Sequence, residues 1–114
     1  MVSTIDICKN NLRQVNMRTL NADELQYRDF VMQGFHQDVV NDLGPNATIT
    51  DTEYFQLMLN YACHEFNDMF DCSPDHSRSN DTYLVICANI IDQYQYQLDA
   101  NDYDMPQIKH VKLV

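Results

Sequence analysis

Apolar residues in this chain recur at three- and four-residue steps over three long stretches, and each stretch is bracketed by residues that start or stop helices. The plainest begins at Ile49. Phe55, Met58, Leu59, Ala62, Phe66, Met69 and Phe70 fall on one side of a helical projection, while Glu53, Gln56, Asn60, His64, Asn67 and Asp71 fall on the other. Thr50 followed three residues later by Glu53 forms a capping box, and Ile49 stands where it can staple onto Tyr54. Pro74 and the turn-rich run 73–80 close the segment. The pattern predicts a helix over 50–71.

An earlier segment has the same punctuation, with Asn21 as N-cap, Glu24 three residues on, and Gly44-Pro45 after Leu43. Leu25, Met32, Phe35, Val39 and Leu43 share a side, whereas Tyr27 and Phe30 point elsewhere and give this helix a second apolar contact. Gly34, unfavourable in mid-helix by about 1 kcal/mol relative to alanine, suggests close packing against a neighbour. In the third stretch, Leu-Val-Ile-Cys resembles a buried strand. The unbroken stripe Tyr83, Leu84, Cys87, Ile90, Ile91, Tyr94 and Leu98 favours a central helix instead. The fold class expected is therefore mainly α, a bundle of three long helices at about 21–43, 50–71 and 80–99. The partly β-branched ends, Thr4 to Cys8 and Ile108 to Val114, are expected to pair as a short two-stranded ribbon. Such a ribbon would gather Lys9, Lys109 and Lys112 at one pole.

With 114 residues, 45% of them apolar, the chain suffices for one domain (1–114) with a core that needs no metal or disulfide staple. The N-terminal stretch has no basic segment leading into an apolar run, and no run approaches the roughly 20 residues of a membrane helix. The expected location is the cytoplasm, or the host cytoplasm if the chain is phage-encoded. Cys8, Cys63, Cys72 and Cys87 are then free thiols.

Charge changes the picture most. The net charge is -10, and from Asp29 to Ile108 fourteen carboxylates stand against one base, Arg78. Such a field attracts basic partners and repels nucleic acid and anionic membranes.

Candidate chemistry is sparse. Cys63, His64, Cys72 and His76 offer four metal-ligating side chains within fourteen residues, but the spacing fits no zinc module, and adjacent helical residues cannot aim at one ion. Asp29 with His36, and His64 with Asp68, are possible acid–base pairs that lack a nucleophile or a third member. Asp29 and His36 fall near the apolar arc and are expected to form a partly buried polar pair. Asp99, Asn101 and Asp104 lack the glycine and glutamate of a calcium loop and are expected to be solvated turn residues. No cofactor, metal or catalytic residue is assigned, and a non-enzymatic protein is expected.

The acids themselves are the remaining candidate. Asp38 and Asp42 lie one turn apart, and Glu65, Asp68 and Asp71 step down a helix into Asp75. Neighbours of this kind sit about 5–6 Å apart at Cβ, near enough to nucleic-acid charge spacing to enter a basic groove. Tyr27 and Phe30 complete the expected partner-binding set as aromatic anchors. In size, charge and composition the whole chain resembles the small acidic inhibitors of host defence nucleases, anti-CRISPR and antirestriction proteins among them. The resemblance rests on no particular motif. It implies a basic nucleic-acid-binding partner such as a nuclease, with no direct nucleic-acid binding and no membrane. An immunity protein or antitoxin against a nuclease toxin obeys the same physics. A small metal-binding protein or enzyme built on the Cys/His group, and a homodimer packed through Tyr27, Phe30, Tyr94 and Tyr96, are the other readings.

Overall fold

The computed structural model describes residues 3–44, 47–72, 81–103 and 110–112. They form α1 (Thr4–Leu12), α2 (Ala22–Leu43), β1 (Thr48–Thr50), α3 (Asp51–Cys72), α4 (Thr82–Tyr103) and β2 (His110–Lys112). The protein is mainly α, as the periodicity predicts, with a fourth helix that the sequence reading lacks.

The predicted caps are made. Asn21 Oδ1 accepts from the Glu24 N–H at 2.9 Å while Glu24 Oε1 accepts from the Asn21 N–H at 3.0 Å, closing the capping box of α2. Gly44, at φ 94°, ends that helix and donates its N–H to the Val40 carbonyl at 2.8 Å. That positive φ is a conformation that side-chain-bearing residues rarely adopt. Thr50 Oγ1 accepts from the Glu53 N–H at 3.1 Å and donates to the Glu53 carboxylate at 3.0 Å. Asp81 caps α4 by accepting from the Tyr83 N–H at 2.9 Å.

Two expectations for the chain ends need correction. Thr4 to Cys8 is helical, because Ser3 caps it through the Asp6 N–H at 3.1 Å and Cys8 is drawn fully into the core. Asn67 on α3 fastens this helix, donating to the Thr4 carbonyl at 3.1 Å and accepting from Asn11 at 3.3 Å. The ribbon exists with a different partner. His110–Lys112 runs antiparallel to Thr48–Thr50, with Thr48 opposite Lys112, Ile49 opposite Val111 and Thr50 opposite His110. Because α1 is not in the ribbon, the ribbon does not bring Lys9 to Lys112; Lys109 lies outside the described residues. The third predicted helix also runs further than expected, to Tyr103, so Asp99 and Asn101 lie in helix rather than in a turn, and Asp104 is outside the described residues.

The core is centred on the α3–α4 pair. Leu84 through Ala88 are buried at five consecutive positions, which requires neighbours on every side of α4 and explains the strand-like run in the sequence. From α3 come Met58, Leu59, Ala62, Cys63, Phe66 and Phe70, with the Phe66 and Phe70 rings stacked at 5.9 Å. α1 packs on α3. α2 lies across α3 and α4 with less of itself buried, contributing Val31, Phe35, Val39 and Val40. Arg28 ties it to α4 by donating to Asn89 Oδ1 at 2.6 Å.

Candidate protein-docking surface

The acids predicted to form one face fall into two separate groups. His36 Nδ1 is hydrogen-bonded to Tyr54 Oη at 2.7 Å, joining the second half of α2 to the start of α3. Tyr27 meets Tyr83 edge-on at 6.1 Å, and the Tyr83 hydroxyl donates to Glu65 at 2.8 Å, joining the first half of α2 to the later part of α3. The two helices therefore run antiparallel. Asp38 and Asp42 lie at one end of the bundle and Asp68 and Asp71 toward the other; the step from Tyr54 to Asp71 alone is about 25 Å at 1.5 Å per residue.

Within these groups the side chains differ. Asp38, Asp42, Asp68 and Asp71 are exposed, and Asp68 lies 3.5 Å from His64 Nε2. Glu65 is half-buried and held by Tyr83, so it faces α4 and does not continue an outward row with Asp68 and Asp71. Burial, then the Glu65 carboxylate, push the Tyr83 phenol well above its ordinary range and keep it a proton donor. Asp75 is outside the described residues. Tyr27 is 46% exposed and Phe30 71% exposed. Phe30 is flanked on its helix face by Gln26, Gln33, Gly34 and Gln37, with exposed Asp23 two turns earlier and Asp29 beside it.

The expected polar pair of Asp29 with His36 is also revised. Asp29 is exposed, while half-buried His36 is partnered by Tyr54. Cys63 lies in the core and His64 is exposed on the outer side of the same helix, so the two do not aim at a common ion; Cys72 is exposed and His76 is outside the described residues. Among the described residues, no three His, Cys, Asp or Glu side chains converge on a metal-sized site. None of the described helices is long and apolar enough to cross a membrane.

A different stripe combines charge with an exposed aromatic ring. On the outer side of the C-terminal half of α4, Asp92, Tyr96 and Asp99 follow one another at four- and three-residue steps, all exposed, with Tyr96 70% exposed. Gln95 Nε2 donates to Asp99 Oδ1 at 3.0 Å, fixing one edge. These residues and Gln93 line a shallow cleft of about 300 Å³. Asp92 and Gln95 also border a second cavity of about 250 Å³ between α1, α3 and α4, whose walls include Ile5, Leu12, Leu59 and Ile91. Lys9 borders this cavity too. An apolar recess thus abuts an acidic cleft. The sequence signal was present as an i, i+4, i+7 repeat, but the apparent alternation around Tyr94 and Tyr96 obscured it.

Cys8 and Cys63 are buried and both line that recess. Their mutual interaction pushes the Cys8 thiol up and the Cys63 thiol down. Burial, opposed by Tyr83 and aided by the Glu65 and Asp81 carboxylates, pushes Cys87 up to about 12.

No family model matches the chain, and no similar curated protein or solved structure was found.

Proposed function

We propose that this protein is a non-enzymatic inhibitor that binds a basic nucleic-acid-binding protein, a host defence nuclease of the kind that anti-CRISPR and antirestriction proteins block, and so denies it its substrate. The observation that carries this reading is the Asp92–Tyr96–Asp99 stripe beside the apolar recess. An aromatic side chain with two free torsions supplies contact area at low entropic cost, while flanking carboxylates steer a cationic partner and reject an anionic one. The neighbouring recess accepts an apolar side chain from the partner. Asp38 with Asp42 and Asp68 with Asp71, at opposite ends of the bundle, extend the negative field and so accelerate encounter more than they tighten the final complex. A nuclease toxin presents the same basic surface, so an immunity protein or antitoxin is the nearest alternative.

The test is capture of partners from host lysate at low salt and at about 0.5 M salt, where the screening length falls to a few ångströms. A nuclease or other nucleic-acid-binding protein retained at low salt and released at high salt is the expected result. With that partner purified, Asp92→Lys combined with Asp99→Lys weakens binding by at least tenfold, and Tyr96→Ala does so without changing its salt dependence. Asp68→Lys combined with Asp71→Lys lowers mainly the association rate. Capture of no such partner, or undiminished binding by the α4 variants, overturns the assignment.

A further inference from the structure

We propose that Cys8 and Cys63 form a redox-reactive dithiol at the floor of the recess between α1, α3 and α4, where a hydroperoxide oxidises Cys63 and Cys8 resolves it into a disulfide that staples α1 to α3. The register of the two helices leads there. Asn67 on α3 donates to the Thr4 carbonyl at 3.1 Å and accepts from Asn11 at 3.3 Å. Thr4, Cys8 and Asn11 follow one another at four- and three-residue steps on α1, and Cys63 lies one turn before Asn67 on α3. The clamp that holds Thr4 and Asn11 on Asn67 therefore sets Cys8 against Cys63, and both line the same cavity of about 250 Å³.

The surroundings separate the roles of the two sulfurs. Cys8, and then the Lys9 ammonium on the same cavity wall, hold the Cys63 thiol below its ordinary range, which makes it the nucleophile; Cys8 is pushed up and stays a thiol. Cys8 is 0% and Cys63 1% exposed, so the floor is reached only by a molecule close to water in size, and hydrogen peroxide is one. The Cys63 thiolate attacks one peroxide oxygen, the O–O bond breaks, and hydroxide leaves with the proton the thiol gave up, as water. Cys63 is then a sulfenic acid, oxidised by two electrons as the peroxide is reduced. The Cys8 sulfur attacks the Cys63 sulfur, an S–S bond forms as the S–O bond breaks, and the Cys8 proton departs with that hydroxide as a second water. Two thiols and one peroxide thus give one disulfide and two waters.

The test exposes the folded Cys72→Ser chain to hydrogen peroxide, that substitution removing the exposed thiol that would link two chains. Proteolysis and mass spectrometry are expected to find a peptide pair joining Cys8 to Cys63, separated by dithiothreitol. Closing a loop of about 55 residues is expected to raise Tm by about 10–15 °C, reversibly with reductant. Cys8→Ala is expected to leave Cys63 oxidised without a cross-link, and Cys63→Ala to leave Cys8 a thiol. Absence of the cross-link while exposed Met17 is oxidised, its formation only in unfolding concentrations of urea, or a cross-linked chain whose Tm is unchanged or lower overturns the proposal. The cross-link and Tm are read without altering Cys8 or Cys63, so they decide the matter even where an alanine variant fails to fold.

Discussion

Two phenylalanines in this fold have opposite environments, and truncating each to alanine measures what the core contributes. Phe66 is 0% exposed in the core, its ring stacked on Phe70 at 5.9 Å with 23° between planes. Phe30 is 71% exposed. Phe66→Ala removes the transfer free energy of a buried ring and leaves a cavity between helices too tightly packed to collapse, a loss of about 3–5 kcal/mol. A domain of this length has a total stability of roughly 6–17 kcal/mol, so the variant forfeits a large share of it. At an unfolding entropy near 2.1 cal/mol/K per residue, Tm falls by about 12–20 °C. Phe30→Ala changes stability by no more than about 0.5 kcal/mol. The assay is urea unfolding followed by helical circular dichroism, with the slope required to stay constant so that the midpoint reports stability. A Phe66→Ala loss below about 1 kcal/mol, or a Phe30→Ala loss of equal size, would refute the placement of the core.

Two further outcomes follow from the titratable groups. The Arg18 guanidinium, at 2.7 and 2.5 Å from the two Glu24 oxygens, together with the Asn21 N–H, holds the Glu24 carboxyl down at about 2 against an ordinary value of 4.5. A depressed carboxylate contributes stability that is fully present above the unfolded value and is lost as pH falls from about 4.5 toward 2. The stability gap between the native chain and Glu24→Gln is therefore expected to shrink on acidification through that window; an invariant gap in acid titrations of urea midpoints would contradict the pairing. Under native conditions an alkylating reagent is expected to modify Cys72 alone, because Cys8, Cys63 and Cys87 are buried, and to modify all four after unfolding. Mass spectrometry reads the count, and rapid native labelling of Cys87 would show that α4 is not the central helix.

The elements most legible in the sequence were those whose ends are fixed by local bonds. Asn21 with Glu24 and Thr50 with Glu53 close their caps within three residues, so nothing distant was needed to place the starts of α2 and α3. Thr4 to Cys8, expected as a strand, is helical because its β-branched start is a weak propensity signal, overridden by the Ser3 cap and by Asn67 across a gap of 63 residues. The candidate site was legible as chemistry but not as place. Carboxylates and tyrosines were visible as residue types, yet whether Glu65 faced solvent depended on Tyr83, and whether Tyr96 was exposed depended on which side of α4 the other helices covered.

What the sequence by itself determined is the helical class, the three long helices and the negative field, since periodicity, capping and charge are properties of neighbours along the chain. Tertiary structure decided the rest. The antiparallel packing of α2 on α3 separated Asp38 and Asp42 from Asp68 and Asp71 by most of the bundle's length. The burial of α4 on all sides over Leu84 to Ala88 left its C-terminal half to carry Asp92, Tyr96 and Asp99 outward. Which charges act together is set by distance through space, and that distance exists only once the helices have packed.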